Sequence, residues 1–237
     1  MSTYVYAITA ADHPLRLDGL SGIGNPASDL RTLKTSELSA VVSDSPPDLR
    51  AKRRDLVAHQ SVLERLMADG AALPMRFGLV GPDDDQVRAA LDQGKDGYTA
   101  RLSELDGRLE YNLKVSRDEE SLLREILSES SEARRLSEYT RQNPGAQDQK
   151  MALGELVSHE VQARQEAAGR EVAAALATAA ERVSEGEPTK THFLNVSYLV
   201  RRDKASAFSQ AVHEEAERRG DEYTFALNGP LPPYSFV

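Results

Sequence analysis

The stretch RLEYNLKVS, Arg108–Ser116, alternates without a slip. Leu109, Tyr111, Leu113 and Val115 fall on one face and Glu110, Asn112 and Lys114 on the other, the period of two that a half-buried strand requires. Asp106-Gly107, just before it, is a turn signal and marks a domain boundary. Downstream, SRDE (Ser116–Glu119) has capping-box spacing and opens a helix to about Leu127. Residues 128–149 are polar and contain Asn143-Pro144-Gly145, which reads as a helix fragment and a mobile loop. A long helix follows from about Asp148 to Val183, with Leu156, Val161, Ala168, Val172, Leu176, Ala179 and Val183 in its stripe. At about 1.5 Å per residue it would reach about 50 Å, so it is expected to break near Gly169 or to project. THFLNVSYLVR (Thr191–Arg201) is a strand with Leu194, Val196, Tyr198 and Val200 inward. An amphipathic helix on Ala205, Phe208 and Val212 stops at Gly220, and EYTFALNGP (Glu222–Pro230) is the last strand, with Tyr223, Phe225 and Leu227 inward. The order strand, helical excursion, strand, helix, strand is close to a ferredoxin-like sandwich, modified by its long excursion.

The first half is also α+β. TYVYAIT (Thr3–Thr9) is apolar on both faces, as a covered central strand should be. A loop containing SGIGNP (Ser21–Pro26) leads to short strands near Leu30–Thr35 and Leu38–Ser43, which SPPD (Ser45–Asp48) closes. Leu56, Leu63, Leu66 and Met67 give Arg50–Asp69 a helical period. ALPMRFGLV (Ala71–Val80) reads as a strand that Pro74 confines to an edge or a bulge. Asp83 and Gln86, at capping-box spacing, then start a helix running to about Leu105, its continuity weakened by Gly94 and Gly97. The fold class is therefore α+β with two domains, 1–106 and 107–229, and an extended tail, 230–237, docked on the first domain near the LPMRFG strand.

With 40% hydrophobic and 28% charged residues, the chain has the balance of a folded globular protein. Its formal net charge of −9 argues against nucleic acid and anionic membranes as partners. The absence of cysteine removes disulfides, thiolate metal sites and cysteine nucleophiles. No stretch approaches the roughly 20 apolar residues of a membrane span, and the first residues do not read as a signal peptide, so a cytoplasmic protein is expected. The residues also offer little chemistry. His159-Glu160 and His213-Glu214 begin like a zinc helix, but Ala163 and Glu217 stand where the second histidine ligand belongs. SGIGNP lacks the third glycine and the helix of a phosphate cradle, and DDDQVR lacks the glycine of a calcium loop. No GxSxG elbow is present. His59, with Glu64 nearby, reads as a helix residue hydrogen-bonded to a neighbouring strand rather than as a catalytic dyad. Arg76, a charge inside an apolar strand, calls for a carboxylate partner. No enzyme, metal or cofactor is expected. What stands out is apolar sequence in unusual places: Met75, Arg76 and Phe77 in LPMRFG, and Pro232, Pro233, Tyr234 and Phe236 in the tail. These seven form the candidate partner-binding or interdomain surface.

Those segments also carry a resemblance. YVYAI (Tyr4–Ile8), HQSVLE (His59–Glu64), LPMRFG (Leu73–Gly78), EYNLKV (Glu110–Val115) and GPLPPYSFV (Gly229–Val237), in this order, resemble the gas vesicle protein F/L family over nearly the whole chain. The resemblance implies two α+β domains, the second modified ferredoxin-like, and no catalytic motif. It further implies an accessory or minor structural protein of gas vesicles, the gas-filled shells that give cells buoyancy. Its partners would be the small hydrophobic shell protein and other accessory proteins. The motifs do not separate the F from the L member. A small-molecule-binding regulator on ferredoxin-like domains, with Arg76 and His59 in its pocket, is the alternative reading.

Overall fold

The computed structural model describes residues 2–237. The chain divides into two compact units: residues up to Glu110 together with Pro230–Val237, and Tyr111–Gly229. Among the described residues no helix is long and apolar enough to cross a membrane.

The first unit is built on β1 (Thr3–Ala10), β2 (Arg31–Lys34), β3 (Leu38–Asp44), α1 (Arg53–Asp69), β4 (Ala72–Pro74), β5 (Val80–Gly81), α2 (Asp84–Gln93) and α3 (Lys95–Leu105). Its sheet runs β2-β3-β1-β4, with β5 also on β1. Every residue from Thr3 to Thr9 is buried, so β1 is the central strand its two apolar faces call for. α1 packs Val62, Leu63 and Leu66 against Tyr4, Tyr6, Ala7, Val41 and Ala72. Leu56, expected in the apolar stripe, is 42% exposed; the buried face of α1 runs instead through Asp55, His59, Val62, Leu63 and Leu66. Asp83 caps α2 by accepting from the Gln86 amide at 2.8 Å. Asp84 then takes a bidentate bond from Arg31 (2.7 and 3.0 Å), which fastens the start of α2 to β2. That guanidinium bond holds the Asp84 carboxyl at about 2, below the ordinary aspartate range.

The segment after α1 differs from a single strand. β4 ends at Pro74, Phe77 and Gly78 turn, and pairing with β1 resumes only at Val80. The Met75 amide donates to Tyr6 O at 2.9 Å, so the position before it faces away from β1. Pro74 stands there, where a missing N–H costs nothing.

The second unit contains most of β6 (Arg108–Arg117), then α4 (Glu119–Glu129), α5 (Ser131–Gln142), α6 (Gln147–Ala177), β7 (Arg182–Glu185), β8 (Leu194–Arg201), a short 3-10 turn, α7 (Ala205–Arg219) and β9 (Tyr223–Leu231). Its sheet runs β7-β8-β6-β9, an order compatible with the ferredoxin-like sandwich. Leu109, Tyr111, Leu113 and Val115 are buried as the alternation requires. Three details depart from expectation. Asp118, not Ser116, caps α4, accepting from the Ser121 amide at 2.8 Å. α6 does not break at Gly169: its last turns bury Ala168, Gly169, Val172 and Leu176, while Leu153, Leu156 and Val161 pack on Leu122, Ile126 and Ala133 of α4 and α5. The excursion is thus a small helical layer with its own core, which gives both halves of a 31-residue helix something to bury against. Val183, placed in the helix stripe, belongs to β7, a short strand with Arg182, Val183 and Glu185 exposed and no alternation to announce it. Arg117, nearly buried, pairs with Glu125 and Glu222 and lies 5.0 Å from the Tyr223 ring centre, tying β6 to α4 and β9.

Candidate functional site

The seven residues singled out above sort into two groups in the first unit. Phe77, Pro232, Pro233, Tyr234 and Phe236 turn inward; Met75 and Arg76 do not.

The inward group forms around His59. The ring lies among Tyr4 (5.7 Å between centroids), Tyr6 (5.5 Å, stacked) and Phe77 (5.7 Å). Its Nε2 donates to Met75 O at 3.0 Å, so Nδ1 accepts the Tyr4 hydroxyl at 2.8 Å, and Tyr4 Oη in turn takes the Gly78 amide at 3.3 Å. Burial lowers the His59 pKa and outweighs the Met75 bond, which favours the neutral ring. No carboxylate orients it among the described residues; Glu64 instead accepts from Gln60 Nε2 at 3.1 Å. His59 is a structural hub that joins α1 to the end of β4.

The tail closes over this hub. β9 continues through Leu231 instead of ending at Gly229-Pro230. This is tolerated because β9 is an edge strand, where a proline removes no ladder bond. Gly229 has φ 156°, and a Cβ there would sit 2.5 Å from the Tyr111 ring. The tail is not extended beyond that point. It turns, with the Phe236 amide donating to Pro233 O at 3.1 Å. The turn sends Tyr234 to His59, with Oη 3.3 Å from Nε2, and buries Phe236 to 2% exposure. Ser235 donates from its amide (2.9 Å) and hydroxyl (2.7 Å) to Glu110, and Arg101 Nη1 donates to Phe236 O at 2.8 Å. Burial first, and then the Glu110 charge, push the Tyr234 hydroxyl up to about 12. Glu110, which strand alternation places facing out, is only 4% exposed because the tail covers it. Nothing local in the sequence marks Glu110 or Arg101 for this task; each is defined by a partner about 125 or more positions away.

Met75 and Arg76 line an open groove of about 600 Å³. Leu73, Leu79, Tyr98 and Val237 form most of the remaining wall, and Gly94 and Gly97 keep the α2–α3 side low. Leu79 and Val237 are each 46% exposed. Arg76 is exposed and, contrary to expectation, has no carboxylate partner among the described residues. It lies past the end of β4, where water solvates it, so nothing forces an internal ion pair. His59 does not line this groove.

The fold is that of solved gas vesicle proteins. A crystal structure of GvpF from Anabaena sp. superposes with a TM-score of 0.81 at 23% identity, over 99% of this chain and 97% of that one. GvpF from Microcystis aeruginosa gives 0.79 at 25% identity, over 99% and 98%. A family model described as gas vesicle synthesis protein GvpL/GvpF matches residues 2–237. Gas vesicle protein F of Streptomyces sp. is 45% identical over the full length of both chains, and gas vesicle protein L of the same strain is 28% identical over 99% of this chain and 92% of that one. The chain belongs to the gas vesicle protein F/L family, and its role lies with gas vesicles.

Proposed function

We propose that this protein binds the hydrophobic shell protein of the gas vesicle and supports vesicle assembly in the cytoplasm, as a non-catalytic accessory or minor structural component. A shell that admits gas and excludes water needs a strongly apolar face, so its free subunit is prone to aggregate. A folded protein of net charge −9 that covers part of that face keeps the subunit dispersed. The observation that carries this reading is the open apolar groove of the first unit, in a chain whose relatives are gas vesicle proteins. Of the two Streptomyces relatives the F protein is the more similar, 45% against 28%, so we assign the chain the F-type role. The regulator reading is not favoured, because its two polar residues do not converge. His59 is sealed inside with both ring nitrogens engaged, while Arg76 stands at the surface.

Deleting the gene in its native host tests the role. The expected outcome is loss of flotation and few or malformed vesicles, restored by the intact gene. A clean deletion with normal vesicle number and shape would refute it.

A further inference from the structure

The groove has a chemistry more specific than apolarity. Its walls offer Leu73, Met75, Leu79 and Tyr98, and at its rim stands Arg76, exposed and without an ion-pair partner among the described residues. The turn after β4 brings Arg76 and Leu79 close together along the chain: the Leu79 amide donates to Arg76 O at 3.2 Å, and Gly78 supplies the φ of +96° that closes the turn. A guanidinium is a planar fork suited to a carboxylate, and one placed at the edge of an apolar surface accepts that partner on a partly desolvated site. The second arginine of the groove, Arg101, is already engaged by Phe236 O. Strand addition is a poor use of this edge, since β4 is three residues long and Pro74 offers no outward donor. The groove suits side chains instead, and Gly97, with open space where a Cβ would be, leaves room for them.

Resting on the shell-binding reading, we propose that the shell protein is held at this groove through an apolar segment carrying an acidic residue, with Arg76 as the charged anchor. The complementarity has two parts, apolar wall to apolar segment and guanidinium to carboxylate. The second fixes the orientation of the bound segment, as charges at an interface do.

Co-purification of the shell protein with the tagged full-length chain, co-expressed, separates the parts. Arg76→Glu, Leu79→Ser and Gly97→Leu alter exposed or open positions, so each variant should melt close to the parent. Each should retain about tenfold less shell protein or worse, with Arg76→Lys between parent and Arg76→Glu. Met151→Ser, at a 63% exposed position in the second unit, should bind as the parent does. If the parent binds and all three groove variants bind equally well, the groove assignment falls while the shell-binding reading stands. If Leu79→Ser and Gly97→Leu lose binding but Arg76→Glu does not, the carboxylate anchor is wrong. Groove variants that abolish only self-association would show a second copy as the occupant and overturn the proposal. A parent that retains no shell protein overturns the reading beneath it.

Discussion

His59 has both ring nitrogens engaged, one by Tyr4 and one by Met75 O, in a shell of three aromatic rings. Replacing it with alanine leaves a cavity and strands two buried polar groups, which costs about 2–4 kcal/mol. The cost depends on pH. The folded pKa is lowered, so the unfolded chain binds a proton that the folded chain refuses. The stabilisation is therefore complete above the ordinary value of about 6.5 and declines as the pH falls below it. Denaturant unfolding of parent and His59→Ala should show the gap between them shrinking from about pH 7.5 to about pH 5; a gap that stays constant would mean that folding leaves the proton affinity of the ring unchanged. At this scale the sequence was half legible. The inward direction of His59 was legible from its place one turn before Leu63, which is buried, although Leu56, one turn the other way, proved exposed. Arg76 was misread because strand character was carried past Pro74 through Phe77 and Leu79. Those residues are apolar for separate reasons, one packing on His59 and the other lining a groove.

Among the elements, β6 and β1 were the most legible, since alternation in β6 and double-faced apolarity in β1 are local patterns. Glycines were less so. Gly94 lies between α2 and α3, where a Cβ would meet the Tyr98 ring at 2.5 Å, whereas Gly97 and Gly169 sit inside continuous helices. A single sequence gives the same letter for all three. At Gly169 a Cβ would make ordinary contacts of 3.7 Å with Phe193 and Leu194, at a helical φ. Gly169→Ala should therefore stabilise the second unit by about 0.5–1 kcal/mol, the helix-propensity difference. A lower melting temperature would mean that α6 and β8 approach more closely than these contacts allow. β7 escaped notice because a four-residue edge strand with three exposed side chains has no hydrophobic signature.

For the whole molecule, the chain leaves the first unit in β6 and returns to it at the end of β9, so Tyr234 packs on a core begun at Tyr4, more than two hundred residues earlier. Sequence showed that PPYSFV had apolar surface to bury; its partners Glu110, Arg101 and His59 are set by tertiary structure and carry no local mark. Removing Pro232–Val237 uncovers the His59 cluster and loses the burial of Phe236, so unfolding should shift by roughly 3 kcal/mol or more. Val237 also lines the groove, so on the proposed reading capture of the shell protein weakens with it. Weakened capture at an unchanged melting temperature would make the tail itself the contact. On the proposed function, the protein keeps an aggregation-prone shell subunit dispersed. The most direct test is sedimentation of purified shell protein, diluted out of denaturant with and without an equimolar amount of the full-length chain. The expected result is shell protein held in the supernatant in a complex with this chain; shell protein that pellets to the same extent in both tubes would contradict the account.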